Sequence, residues 1–319
     1  MNQTNTRAMV ETAFLSAIIV MLTIVGASVP LLSLLATIVA PAATALVGIR
    51  WGTQYSCAAV VVSFVLVSII LGPLTALGTV LMYAVPSIFL GMGFRNYWNP
   101  TKLILLPTIA LCLTTIATVL VTFSVTSFDV STAWQSFDTE LRDSLMTAVQ
   151  QQQLPQEQVE AYMQQVGKSF EQIKRMIVAY GFCAMAVVSY VMARFTAFMA
   201  KRTNNPVQSI PSISTWHMPI WSAGVLAVGL ILVYGSSYLG INNYMITTIG
   251  MNLGLFGAFV CGLNGIACLL GILNAYKISR FIKILILGFL YVMTPIGLII
   301  FGIMDMFMDL RSRYQSRNQ

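Results

Sequence analysis

The sequence predicts an all-α, polytopic integral membrane protein: a helical bundle of eight or nine transmembrane segments with an extracytoplasmic amphipathic helical hairpin. Three observations carry this. First, 17 basic and 10 acidic residues make the 319-residue chain 8% charged against 57% hydrophobic, where an ordinary soluble domain runs near 25% charged. Second, nine apolar runs reach or approach the ~20 residues that cross a bilayer. Third, seven of the ten acids fall in one segment, 128–172. So little charge cannot cover a soluble surface, which excludes a soluble enzyme, a disordered chain and a disulfide scaffold. The basic residues are scattered, so the net charge of +7 predicts no nucleic-acid partner.

The runs are 9–28, 31–49, 52–72, 74–94, 103–126, 173–200, 217–239, 244–274 and 281–304. The first follows Arg7 and is long enough to span, so it reads as an uncleaved helix rather than a signal peptide. Short turns separate the next runs at Val29-Pro30, Arg50-Trp51-Gly52, Gly72-Pro73 and Asn99-Pro100. Pro41, Pro86 and Pro295 lie inside runs, which a membrane helix tolerates when neighbours satisfy the freed backbone groups. Cys57, Cys112, Cys183, Cys261 and Cys268 all lie in apolar stretches without C-x-x-C spacing, so they read as packing residues.

Orientation follows from the basic residues. With the N-terminus in the cytoplasm, Arg7, Arg50, Arg95, Lys102, Arg194, Lys201, Arg202, Lys277, Arg280 and Lys283 all mark that side, Arg194 by snorkelling, and the opposite short loops are uncharged. The tail with Arg311, Arg313 and Arg317 breaks the pattern if nine full spans are drawn. Either it is an exception, or the last run folds back at Thr294-Pro295 as a re-entrant hairpin with a cytoplasmic tail; the second is favoured.

Segment 128–172 carries Asp129, Asp138, Glu140, Asp143, Glu157, Glu160 and Glu171. Apolar residues recur at helical spacing at Trp134, Phe137, Leu141, Leu145 and Val149. After a break at Gln150 to Pro155 they recur at Val159, Tyr162, Val166, Phe170, Ile173 and Ile177. The expectation is two amphipathic arms, the second continuous with the sixth span. They suit the outer membrane surface, a lid, a docking platform or a coiled coil.

No catalytic, metal or cofactor-binding motif is present, and an enzyme is not expected. His217 sits beside Trp216 and Trp221, an ordinary interfacial setting. No carboxylate lies at the centre of a run; Glu11 opens the first and Asp305 closes the last, which argues against ion-coupled transport. A packing motif is plain on the eighth run. Gly250, Gly254, Gly257, Cys261, Asn264, Cys268 and Gly271 follow alternating spacings of four and three. Such a stripe lets backbones approach closely, within the chain or between subunits.

Ala13-x-x-x-Ala17 in the first helix, the proline-containing second run, Gly48-Ile49-Arg50-Trp51-Gly52, Leu71-Gly72-Pro73 and the sixth run ending at Lys201-Arg202 form a pattern. It resembles the six-helix substrate-binding subunit, or S component, of energy-coupling-factor vitamin transporters. The whole chain is similar to the YybS-like family of bacterial membrane proteins, domain of unknown function 2232. That likeness rests on Gln150 to Gln164, Trp216-His217-Met218-Pro219, Leu263-Asn264-Gly265-Ile266-Ala267 and Phe301-Gly302-Ile303-Met304-Asp305 ahead of Leu310-Arg311. These resemblances imply a membrane domain over 1–202, including the hairpin, followed by additional helices and a short basic tail over 203–319. They imply a multi-pass protein of the bacterial cytoplasmic membrane. Ala13 and Ala17 would dock a coupling subunit. A small-molecule pocket would draw on Thr79, Tyr83, Thr118, Thr122, Lys174, Arg175 and Tyr180, the basic pair suiting an anionic group. The expected activity is solute binding or uptake with partner subunits; the alternative is a membrane scaffold or regulator of cell-envelope processes. Three additional runs and the acidic hairpin depart from an ordinary S component.

Overall fold

The computed structural model describes residues 3–126, 130–151, 156–241 and 243–316. All described elements are helical. They are α1 (Gln3–Ser28), α2 (Pro30–Trp51), α3 (Thr53–Leu71), α4 (Pro73–Arg95), α5 (Pro100–Thr126), α6 (Val130–Gln151), α7 (Gln156–Arg175) and α8 (Ile177–Arg202). After a 3-10 turn at Ile213–Thr215 come α9 (Trp221–Leu230), which continues through a π turn (Ile231–Gly235) into α10 (Ser236–Tyr238), then α11 (Tyr244–Ala275). The chain closes with α12 (Arg280–Met293), α13 (Pro295–Met308) and α14 (Leu310–Ser316). Among the described residues seven helices are long and apolar enough to cross a membrane, and eight spans result if α12 and α13 count as one bent span. The apolar part of α2, Ala36–Trp51, is shorter. Proline starts α2, α4, α5 and α13, where its missing N–H is not needed. Gly52 and Gly72 take φ of 103° and 89° in one-residue turns, a region open to glycine and strained for other residues.

The chain divides into two units, one of Met1–Met163 with Ala184–Ile210, the other of Gln164–Cys183 with Pro211–Gln319. In the first unit α1 packs on α2 and α3, and α4 on α2, α3 and α5. One core gathers Ile19, Ala40, Val67, Val80 and Tyr83, a second Leu90, Phe94, Leu103, Leu111 and Met192. Hydroxyls bond back into their own helices, Thr12 to the Ala8 carbonyl and Ser16 to that of Thr12, so the apolar setting leaves them satisfied. Gly48 and Gly91 bring α2 and α4 close, since a Cβ on Gly91 would stand 3.2 Å from the Gly48 Cα. At one end Glu11 pairs with Arg50 and accepts from Trp51 Nε1 at 2.9 Å, while Arg50 Nη2 donates to the Thr203 carbonyl at 3.2 Å. Arg194 does not reach outward alone: its Nη1 donates to the Ile210 carbonyl at 3.1 Å.

The acidic segment forms the two expected helices. In α6 Arg142 pairs with Asp138 one turn away at 2.9 Å. In α7 Val159 and Val166 of the expected stripe are half-buried and Phe170 is buried, but Tyr162, Ile173 and, at the start of α8, Ile177 are exposed; Met163 is half-buried in place of Tyr162. Of the break expected at Gln150 to Pro155, Gln150 and Gln151 still belong to α6 and residues 152–155 lie outside the described residues, as do Phe128, Asp129 and the side chains of Leu145, Val149, Gln150 and Glu157. The second arm meets α8 across a single residue, Met176. There the Arg175 carbonyl and the Ala179 N–H, which would bond each other in an unbroken helix, take the Asn252 amide instead. Nδ2 donates to Arg175 at 2.8 Å and Oδ1 accepts from Ala179 at 3.0 Å. A side chain inserted into the helical ladder is a recognised cause of a break.

In the second unit α9 lies antiparallel to α11: Leu226 meets Gly257, Gly229 meets Gly254, and Leu232 meets Gly250. The 281–304 run divides at Thr294, where α12 and α13 bend by 109°. From the bend α13 runs alongside α11 in the same direction. Ile299 lies by Gly262, Gly302 by Cys261 and Gly265, and Asp305 by Asn264.

Candidate functional site

The polar centre of the second unit grows from three short stretches. The stripe on α11 gives Asn264, three turns before the helix ends. α13 gives Asp305 on its packed face. Asp309 then adopts the left-handed conformation, with φ 44° and ψ 59°, and its N–H caps the Asp305 carbonyl at 2.9 Å. Aspartate tolerates that region better than most residues, and the reversal swings α14 round so that Arg311 points back at Asp305.

The result is a buried charge network. Arg311 is 3% exposed, Asp305 4% and Asn264 1%. Arg311 Nη2 and Nε donate to Asp305 Oδ2 at 2.6 and 3.0 Å, and Nη2 also donates to Asn264 Oδ1 at 2.9 Å. Nη1 donates to the carbonyls of Trp216 at 2.5 Å and Ser214 at 3.3 Å. A guanidinium has five N–H donors, and here each has an acceptor. Asn264 is equally committed. Its Nδ2 donates to Asp305 Oδ2 at 3.0 Å and the Gly302 carbonyl at 2.9 Å, and its Oδ1 accepts from the Met218 N–H at 3.1 Å. Gly271 makes room, since a Cβ there would stand 3.2 Å from Arg311 Cδ. The network therefore joins α11, α13, α14 and the stretch Ser214 to Met218 at one point. With every polar atom engaged, it holds structure in place and offers no free valence to a ligand.

This corrects two sequence expectations. Arg311 is not a tail charge, and Asp305 is more than a terminal acid, because the left-handed turn at Asp309 folds the two together. Arg313 continues α14 and Arg317 lies outside the described residues. A signal was available. Of the three acids outside the hairpin, Glu11 and Asp305 each hold an arginine, as a charge kept in an apolar chain requires.

The structure places every stripe residue within the second unit. Gly250, Gly254 and Gly257 face α9, Cys261 lies 4.0 Å from the Ser222 hydroxyl and against Gly302, Cys268 is buried, and Gly271 faces Arg311. Ala13 and Ala17 are exposed on α1, about 100° round the helix from buried Thr12 and Ser16. The candidate pocket residues fall in both units. Thr79 bonds the Thr75 carbonyl at 2.7 Å, and the Tyr83 and Thr23 hydroxyls meet at 2.5 Å inside a core. Thr118 packs by Gly78, and its buried hydroxyl has no partner among the described residues. Thr122 is half-buried and its carbonyl accepts from Thr126. These four belong to the first unit and the other three to the second. There Lys174 lies 3.7 Å from Glu171, the Arg175 guanidinium stands 4.3 Å over the Tyr244 ring, and Tyr180 is exposed. Among the described residues no cluster of three or more His, Cys, Asp or Glu is spaced to hold a metal ion.

No curated protein and no solved structure matches the chain. A family model described as "Predicted membrane protein (DUF2232)" matches residues 17–306, a stretch that contains α2 to α12 entire, Asn264 and Asp305. A helical, multi-pass chain matched over nearly its whole length leads to one conclusion: the protein belongs to the DUF2232 family of predicted membrane proteins.

Proposed function

We propose that this membrane protein is a solute-binding or uptake component of the bacterial cytoplasmic membrane, with its N-terminus in the cytoplasm, that works with partner subunits and performs no catalysis itself. The reading extends the resemblance to the YybS-like proteins and to S components. The observation that carries it is the exposed small-residue face of α1. Thr12, Ser16, Ile19 and Thr23 are committed to the first unit's interior, while Ala13 and Ala17 stand exposed alongside Phe14 and Met21, themselves 66% and 65% exposed. Small residues on an apolar helix let a second helix approach closely. The test is capture of a coupling-factor transmembrane subunit from membranes with tagged protein. Ala13→Leu is expected to weaken capture at least fivefold while leaving the melting curve unchanged, because Ala13 is exposed rather than packed in the unit's core. Recovery of cell-envelope assembly proteins and no coupling subunit would replace this reading with the second one, a membrane scaffold or regulator. The saturated Asn264–Asp305–Arg311 network favours that alternative, since it shapes the fold without offering a ligand group.

A further inference from the structure

We propose that α12 and α13 form a re-entrant hairpin seated in one leaflet, with acyl chains covering α12 and anionic lipid headgroups meeting its basic rim. This inference stands independently of any transport role. Each arm has 14 residues and rises about 21 Å, short of the ~30 Å hydrocarbon core. The bend between them is 109°, a reversal rather than a kink. Direction is fixed by contacts along α11. α12 begins at Arg280, just beyond the end of α11 at Ala275. α13 starts beside the middle of α11, where Leu298 and Ile299 lie against Gly265 and Gly262, and leads back until Arg311 reaches Gly271. The chain thus leaves and returns at the same end of α11.

That end also holds Ser214, Trp216 and Met218, which precede α9 and bind Arg311 and Asn264. Since α9 runs antiparallel to α11, Tyr238 stands at the opposite end. α14 therefore shares a membrane face with the stretch before α9.

The occupant of α12 follows from its surface. The helix has no buried residue, and Phe281, Ile284, Leu285, Phe289 and Val292 are all more than half exposed. An apolar helix so placed meets hydrocarbon. At its mouth are Lys277, Arg280 and Lys283, the last bonded to Asn274 Oδ1 at 2.5 Å, and no acid occurs from 275 to 304. Basic residues at the membrane surface attract anionic lipids.

The experiment uses the full chain, with Cys57 and Cys112 changed to serine, in oriented vesicles of phosphatidylcholine and phosphatidylglycerol. Single cysteines replace Ser212, Ser312 or Tyr238. A membrane-impermeant maleimide is expected to label Ser212→Cys and Ser312→Cys from one side and Tyr238→Cys from the other. Labelling of Ser312→Cys from the Tyr238 side makes α12 and α13 a full span and overturns the proposal. A nitroxide on Phe289→Cys is expected to collide with oxygen several-fold more than with a polar nickel complex. Dipolar broadening between nitroxides of two molecules would show that a second copy covers α12, and also overturns it. Lys277→Gln with Arg280→Gln is expected to cut co-purified phosphatidylglycerol at least threefold; unchanged retention removes the headgroup contact.

Discussion

Arg311→Met tests the buried network most directly. Methionine fills much of the same volume but its side chain donates nothing, so Asp305 loses its counter-charge and keeps the neutral donors Asn264 Nδ2 at 3.0 Å, the backbone N–H of residue 311 at 3.3 Å and the Cys268 thiol. The carbonyls of Ser214 and Trp216 lose their donor as well. Removing one partner of a buried ion pair costs about 3–5 kcal/mol, because the remaining charge stays buried and unpaired. At 1.4 kcal/mol per factor of ten, 4 kcal/mol is nearly a thousandfold in the folding equilibrium. Asp305→Asn leaves the guanidinium unpaired and belongs in the same range. The double variant leaves neither charge, so its cost is expected to fall about 1–3 kcal/mol below the sum of the single costs. The assay is reversible unfolding in detergent micelles, followed by tryptophan fluorescence, since Trp216 and Trp221 flank the site. Unfolding of Arg311→Met at the wild-type midpoint, or strict additivity in the double variant, would refute the argument that these groups are buried against each other.

Two further outcomes are expected. Gly257→Leu places its Cβ 2.5 Å from the Leu226 nitrogen, so α9 and α11 must separate. Overpacking of that kind costs roughly 1–3 kcal/mol or more, whereas Gly288→Ala, with open space around it, is expected to leave the detergent melting curve in place. Asn252→Ala removes the amide from the α7–α8 junction. Hydrogen exchange at the Ala179 amide should then rise at least tenfold, and unchanged protection would mean that the inserted side chain does not hold the junction.

Helices and their order were legible because scarcity of charge leaves long apolar runs, and each run needs its own backbone bonds. The α11 stripe was legible for a related reason: spacings of four and three put Gly250 through Gly271 on one face whatever they pack against. Direction was legible only through charge. Periodicity in the run 281–304 carries no sign of a reversal, and Thr294-Pro295 resembles the prolines tolerated inside α2 and α4; the basic tail beyond the run is what favoured a fold-back there, where α12 and α13 bend by 109°. The Asp305–Arg311 pair was hidden because six residues do not align two side chains on a helix. Only the left-handed residue between them, Asp309, closes the gap. Asn264 was noticed for its place on the stripe, but nothing local to it indicates that Met218, 46 residues earlier, supplies one of its partners.

The Asn252 insertion sets an order of events during synthesis. The Arg175 carbonyl and the Ala179 N–H leave the ribosome 73 or more residues before the amide that satisfies them. Until α11 arrives, the junction between α7 and α8 must either stay continuous as helix or remain hydrated. A break seated against α11 is therefore a late product of assembly, acquired only when a helix made much later comes alongside. The interruption between Arg175 and Ala179 is, in that sense, written by residue 252 rather than by the residues between them.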